Sequence, residues 1–255
     1  MKLTNIRSFQ TPAGAFRNML ITGIDMFDDG RIVLADNQTL HSRLVILNDE
    51  GKFIKNIQID DICYDVAVID KDTVGTTLVF KSKIVIVDVD SSKVKRSILT
   101  SYKCFGITYT GEQLIVSLNK QTIKFFDLSG NVLSTLSTAN NSSHCSMFME
   151  TLCYTTQSGD AVYSTDLNGE VRWKFDCKKK DYPTGITNDA SGNIFVACKK
   201  SNQLMVVGKD GEKSRVLLTK KDGLHKPIAI HYNRKVSTLL VCSESGQCLQ
   251  YIVTN

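Results

Sequence analysis

The sequence predicts an all-β protein, and within that class a six-bladed β-propeller whose ring is closed by its own N-terminal strand. One type of segment recurs six times, with short apolar strands separated by turns of Asp, Asn and Gly. Small or polar residues inside the first strand of each copy are spaced by 42, 41, 40, 39 and 44 residues: Gly23, Asp65, Gly106, Ser146, Gly185 and Ala229. A period of about 40–45 residues with four strands per unit is typical of propeller blades.

The two ends of the repeat predict how the ring closes. The sixth copy stops after its third strand, at residues 248–253, and the segment 3–9 reads as a strand with no partner in its own copy. We therefore expect the N-terminal segment to supply the missing outer strand of blade six, which removes an exposed sheet edge.

The individual elements agree with an all-β fold. Runs such as residues 83–88 (KIVIVD) are short and rich in β-branched side chains, which favour strands. No window keeps an apolar face at the 3.6-residue helical period with a cap at each end. No linker rich in Pro, Gly and Ser interrupts the repeat, so we expect one domain over residues 1–255.

Composition narrows the classes of protein. The chain has 255 residues, 42% of them hydrophobic, and a net charge of +5. It has no apolar run of about 18 residues that could span a membrane, and its N-terminus lacks the apolar core of a signal peptide. Its eight cysteines include no C-x-x-C pair and show no zinc spacing with histidine. We expect reduced thiols, a cytoplasmic location, no membrane partner and no cofactor.

The repeat resembles a known family. Residues 183–197 follow the pattern Pro-x-Gly-Ile-x-x-Asp-x-x-Gly-x-Ile-x-Val-Ala, and residues 24–36 are a second good match. This pattern resembles the NHL repeat, and the order of blades is similar to the C-terminal six-bladed propeller of tripartite-motif (TRIM) proteins of the divergent invertebrate type. Blade four departs from the family at residues 146–150, and blade two has Asp65 where the family has a small residue.

The resemblance implies a role in recognition. It implies the substrate- or partner-binding domain of a TRIM-type E3 ubiquitin ligase, whose RING, B-box and oligomerising coiled coil would lie outside this chain. A protein partner is then expected, and RNA is the alternative partner.

The predicted strand order sorts the charges onto two faces of the ring. The first face carries the turns between strands two and three and the links between blades; the second face carries the turns between strands one and two and between strands three and four. Lysine gathers on the first face and carboxylate on the second. The candidate binding residues are on the first face: Arg43, Lys81, Lys83, Tyr102, Lys103, Lys120, Lys178, Lys179, Lys180, Tyr182, Lys199, Lys200, Lys220, Lys221, His225 and Lys226.

Each charged face has a simple explanation and a functional one. Asp and Asn favour tight turns, which accounts for the acidic face. Lysine is not a turn former, so the basic face either serves solubility and edge protection or docks an acidic protein or a nucleic-acid backbone. The tract 178–180 is the sharpest basic feature, with the solvated charge run as its alternative. Aromatic side chains for base stacking are few beside it.

Catalysis is the least favoured hypothesis at this point. A metal-dependent lactonase needs several oxygen ligands converging at the axis, and only Asp65 offers a carboxylate near the start of a predicted inner strand. The histidines, at 41, 144, 225 and 231, show no paired spacing and are expected to be surface residues. The sequence therefore predicts a non-catalytic recognition propeller without catalytic residues or a metal site.

Overall fold

The computed structural model of the chain describes residues 1–12, 19–39, 41–178 and 181–254, and these form six four-stranded antiparallel sheets. The strands are β1 (Lys2–Gln10), β2 (Ile21–Met26), β3 (Ile32–Asp36), β4 (Arg43–Leu47), β5 (Phe53–Gln58), β6 (Cys63–Val68), β7 (Thr73–Leu78), β8 (Lys83–Asp88), β9 (Lys93–Leu99), β10 (Cys104–Tyr109), β11 (Leu114–Leu118), β12 (Thr122–Phe126), β13 (Val132–Ser137), β14 (Ser142–Phe148), β15 (Thr151–Thr156), β16 (Ala161–Thr165), β17 (Val171–Asp176), β18 (Pro183–Asn188), β19 (Ile194–Cys198), β20 (Gln203–Val207), β21 (Ser214–Leu218), β22 (Pro227–Asn233), β23 (Thr238–Ser243) and β24 (Gln247–Thr254). One short 3-10 helix, Lys220–Asp222, interrupts the link before β22.

The sheets are the six blades of a β-propeller, as the repeat predicts. Five blades are runs of four consecutive strands, and the sixth has the order β1-β24-β23-β22. The inner strands contact one another in sequence around a closed circle, from β2 through β6, β10, β14 and β18 to β22 and back to β2. The prediction of an all-β six-bladed ring is confirmed.

The predicted closure by the N-terminal strand is also confirmed. β1 pairs antiparallel with β24, from Lys2 opposite Thr254 to Gln10 opposite Gln247. The outer edge of β24 is thereby covered by a strand from the other end of the chain, which leaves blade six with the same four strands as its neighbours.

The hydrophobic core lies between neighbouring blades. One cluster joins Phe27 and Leu44 of the first blade to Val66 and Val85 of the second, all buried, and equivalent clusters fill the other blade interfaces. Small residues in the inner strands permit this close approach. A Cβ atom on Gly23 would collide with the backbone and carboxylate of Asp65 in the next blade.

The cysteines are part of this core. All eight are free thiols; seven are buried and Cys177 is half-buried. Burial raises the pKa of the Cys63 and Cys145 thiols to about 12, so these side chains act as small apolar groups rather than nucleophiles. Among the residues described, no helix is long and apolar enough to cross a membrane.

Candidate functional site

The pairing registers place equivalent residues of the six inner strands around the axis. The third residues of these strands are Gly23, Asp65, Gly106, His144, Gly185 and Ala229, and the fifth residues are Asp25, Ala67, Thr108, Ser146, Thr187 and His231. Blade four is therefore equivalent to the others at His144, and the sequence-based alignment on Ser146 is displaced by two residues. Two of the four histidines thus belong to inner strands, contrary to the expectation of surface positions.

The axis is bridged by side chains on the first-face side. The Tyr64 hydroxyl lies 2.8 Å from Ser143 Oγ of blade four, and its ring lies 5.4 Å edge-on from the ring of Phe105 in blade three. His144 Nε2 lies 3.0 Å from the carbonyl oxygen of Thr22, in the opposite blade. Because a carbonyl oxygen can only accept, His144 Nε2 carries the proton and donates it. These contacts tie four blades across the axis.

Above this bridge the axis widens toward the second face. A small axial chamber of about 60 Å³ is lined by the inner strands, including Asp65, His144, Asp25 and His231. It continues into an axial funnel of about 610 Å³ that opens among the turns of the second face. Residues that line the funnel include Asp25, Met26, Tyr109, Ser146, Met147, Thr187, His231, Arg234 and Lys235.

Asp25 and His231 form a hydrogen-bonded pair at the base of the funnel. His231 Nδ1 lies 2.7 Å from Asp25 Oδ1, and the side chains are 24% and 18% exposed. Asp25 is fixed by two further bonds, because its carboxylate accepts the amide of Met26 at 2.8 Å and the amide of Val68 in the next blade at 2.7 Å. Nδ1 faces the carboxylate, and Nε2 makes no hydrogen bond within the described residues. A neutral imidazole in this setting has a free basic nitrogen.

Asp65 occupies the chamber as a second carboxyl group. Its Oδ1 accepts the amide of Val66 at 2.9 Å and its Oδ2 the amide of Ile107 in the next blade at 3.0 Å. Burial raises the pKa of Asp65 well above its usual range, with the charge of Asp25 acting in the same direction and the two amide bonds opposing. The sequence-based interpretation of Asp65 as a residue bonded to backbone N–H groups agrees with this geometry.

His144 makes the stability of the fold dependent on pH. Burial lowers its pKa from 6.5 to about 4. The unfolded chain therefore binds the proton first, and stability falls as the pH drops from 6.5 toward 4, by roughly 3 kcal/mol for this group alone. Urea unfolding at pH 7 and pH 4.5 should show this loss in the native protein and a smaller loss in His144→Gln, which keeps a donor for Thr22. Equal pH dependence in both proteins would contradict it.

The predicted binding residues lie on the other side of the ring from the funnel. The first-face turns and links contain Lys81, Tyr102, Lys103, Lys120, Lys178, Lys200, Lys220, Lys221 and His225, all exposed, and Lys83 and Tyr182, both half-buried. Lys103 lies 5.1 Å from the ring of Phe80, and Lys200 lies 4.5 Å from the ring of Tyr182. Lys179 and Lys180 are outside the described residues. The binding of a protein or an RNA by these loops stays a prediction.

Three members of that set are engaged within the chain. Arg43 is 3% exposed and its Nε lies 3.0 Å from Asp36 Oδ2, so its guanidinium is inside blade one and cannot meet a surface partner. Lys199 and Lys226 both bind Glu244, at 2.7 and 2.6 Å. The first face therefore presents less free positive charge than the sequence suggests.

The described residues do not supply a metal site. No group of three or more His, Cys, Asp and Glu side chains within them is arranged to hold a metal ion. The axial carboxylates instead bind backbone amides and His231. The ligand set that the metal-dependent lactonase hypothesis requires is thus not found in the part of the chain described.

Comparisons with known proteins show the fold and little sequence similarity. No family model and no curated protein matches the chain. Among solved structures, a virginiamycin B lyase from Staphylococcus aureus is similar with a TM-score of 0.70 and 12% identity, over 97% of this chain and 99% of that one. A streptogramin B lyase is similar with a TM-score of 0.70 and 14% identity, over 98% of this chain and 87% of that one.

A third similar structure adds a functional detail. It is a catalytically inactive variant of the S. aureus lyase, in which one histidine is replaced by alanine, with quinupristin; its TM-score is 0.69 at 12% identity, over 97% of this chain and 99% of that chain. The expectation of a non-catalytic propeller that recognises the target of an E3 ligase is corrected by these findings, because the similar structures are those of enzymes. The NHL and TRIM resemblance gains no support beyond the propeller fold itself.

Proposed function

We propose that the chain is a lyase whose active site is the axial funnel, with His231 as the general base and Asp25 as the residue that positions it. The observation that carries this proposal is the 2.7 Å pair between His231 Nδ1 and Asp25 Oδ1 at the base of the funnel. A histidine whose Nδ1 is hydrogen-bonded to a fixed carboxylate keeps one tautomer and one ring orientation, as general base catalysis at Nε2 requires.

The chemistry follows from the pair. Asp25 accepts a hydrogen bond from the Nδ1–H group of His231, which leaves the lone pair of Nε2 to remove a proton from a bound substrate. The negative charge of Asp25 stabilises the imidazolium that forms. In an elimination, the electron pair left on the substrate expels a leaving group without the entry of water. The polar side chains of Ser146 and Thr187 lie at the same level of the ring and line the same funnel.

The similar structures support an enzyme in general and a lyase in particular. Those structures are lyases of virginiamycin B and streptogramin B, and one of them is inactive when a histidine is replaced by alanine. The funnel, at about 610 Å³, has the size of a site for a drug-sized molecule. Free thiols throughout the described core support the further proposal that the protein works in the cytoplasm.

Quinupristin is the first substrate to test. We expect the purified chain to cleave it, with products detected by liquid chromatography and mass spectrometry. A lyase breaks the bond without water, so the product masses sum to the mass of the substrate, whereas hydrolysis adds the mass of one water. Intact quinupristin after prolonged incubation would argue against a streptogramin lyase, and a product heavier by one water would argue against elimination.

A further inference from the structure

Arg234 stands out among the charged residues of the funnel because of how it is held. It follows β22 in the turn of blade six, yet its Nη2 donates to the carbonyl oxygen of Met147 in blade four at 2.9 Å. Its guanidinium lies 5.4 Å from the centroid of the Phe148 ring. Arg234 thus reaches past the intervening blade five and stays exposed at the rim of the funnel; within the described residues, one of its N–H groups is used in a hydrogen bond.

The other cations at the rim of the funnel are paired with carboxylates. Lys235 Nζ lies 2.6 Å from Asp28 Oδ2, and Lys71 Nζ lies 3.6 Å from Asp72 Oδ2. Arg234 has no carboxylate within 4.0 Å in the described part of the chain.

Asp189 is the carboxylate that attracts Arg234 at longer range. Both of its oxygens are already occupied in its own turn, since Oδ1 accepts the amides of Ser191 and Asn193 at 2.8 Å and Oδ2 accepts Asn193 Nδ2 at 2.7 Å. A guanidinium that is held over a concave surface and lacks a direct counter-charge favours an incoming oxyanion, because its donors form a planar fork suited to a carboxylate or carbonyl oxygen.

We propose that Arg234 is the oxyanion subsite of the funnel and that the substrate is a carbonyl compound whose oxygen binds this guanidinium while its acidic C–H bond faces His231. This inference rests on the proposed function and names the substrate class for the same site. Methionines form the apolar wall beside it, at Met26, Met147 and Met149, and methionine adapts to irregular apolar groups. The substrate therefore carries an apolar group beside its carbonyl group.

His231 and Arg234 can together carry out the proposed elimination. His231 Nε2 takes the proton from the carbon next to the carbonyl group, and the C–H electron pair becomes the π bond of an enolate. The negative charge then resides on the oxygen at Arg234, where fixed donors stabilise it. When the enolate collapses, the leaving group on the next carbon departs with its bonding electrons, and the imidazolium of His231 returns the proton to it.

The subsite can be tested without turnover, with phenylacetate as the probe because it joins one carboxylate to one apolar ring. Calorimetry at low salt should show binding to the native chain. Arg234→Met should weaken it about tenfold to a hundredfold, the range of a lost charge-assisted hydrogen bond. Arg234→Lys should lie between the two, because it keeps the charge and loses the fork. Lys52→Met removes the same charge from an exposed pair with Glu50 outside the funnel and should change the affinity by less than about threefold, within the worth of a surface pair.

The outcomes separate the subsite from the proposed function. His231→Ala should still bind phenylacetate. If this variant loses quinupristin turnover and keeps phenylacetate binding, the result supports both the lyase proposal and the Arg234 subsite. If quinupristin stays intact while phenylacetate binding depends on Arg234, the subsite stands and the lyase proposal fails. The subsite proposal is overturned if phenylacetate does not bind the native chain. It is also overturned if Arg234→Met binds phenylacetate as tightly as the native chain does and has the same unfolding temperature as the native chain.

Discussion

His231→Ala is expected to lower the turnover of quinupristin by about 10²–10⁴-fold, the usual contribution of a positioned general base. The variant removes the only nitrogen in the funnel floor that is both basic and held by a carboxylate, among the residues described. Initial rates at saturating substrate measure the effect. The loss should appear in kcat, because an alanine leaves the walls of the funnel in place.

Two companion variants make this result specific. Asp25→Asn loses the charge opposite His231 and keeps one acceptor oxygen where the carboxylate uses two, one for the amide of Met26 and one for the amide of Val68, so it should lower the rate as well, by less than the loss of the base itself. His225→Ala changes an exposed histidine on the first face and should leave the rate unchanged. Native turnover in His231→Ala would remove His231 from the mechanism.

Arg43→Met is expected to destabilise the fold by about 3–5 kcal/mol, the cost of removing one partner from a buried ion pair. Arg43 and Asp36 face each other across β3 and β4 and are 3% and 1% exposed. Asp36 also accepts the amide of Leu20 at 2.9 Å, but a single amide does not replace the lost charge. Urea unfolding followed by circular dichroism measures the loss.

The matched control is an Arg–Asp pair that is less buried. Arg31 binds Asp29 at 2.7 Å and lies 3.5 Å from Asp72, and these three side chains are 21%, 54% and 26% exposed, so Arg31→Met should cost about 1 kcal/mol, less than Arg43→Met. The double variant Asp36→Leu/Arg43→Met should recover much of the loss, because it leaves no unpaired charge. A cost for Arg43→Met as small as for Arg31→Met would contradict the burial argument.

The ring and its closure could be predicted from the sequence because both depend on repetition. Every copy must present apolar strands at the same intervals to cover its neighbours, so the period survives even where single residues have changed. In blade four the repeat pattern is too weak to align the inner strand correctly. Its copy has polar residues at several inner positions, and Ser146 looked like the repeated small residue although β14 begins early enough to place His144 there.

The candidate site could have been found by one further step. Gly23-Ile24-Asp25, Gly106-Ile107-Thr108, Gly185-Ile186-Thr187 and Ala229-Ile230-His231 share the pattern small–Ile–polar, and the polar members line the funnel. Once the ring closes, the first and last copies become neighbours, which brings Asp25 to His231. Linear spacing hides this pair, since more than two hundred residues separate its members.

Other parts of the site could not be predicted from the sequence. A lysine or arginine at a turn looks the same in sequence whether it is solvated or buried, and Arg43 is distinguished only by its cross-strand contact with Asp36. The reach of Arg234 to Met147 likewise depends on the shape of the ring. The distribution of charged residues in the sequence favours the first face as the binding surface, whereas the concave funnel opens on the second face. Concavity results from packing and cannot be read from composition.

The pairing of β1 with β24 has a consequence for biosynthesis. A ribosome delivers residues 2–10 long before residues 247–254, so β1 waits through the synthesis of five complete blades without its partner. The last step of maturation is then the meeting of the two, and until it occurs blade six exposes a bare edge. Chaperone binding to the unpaired β1 would be most useful during that interval.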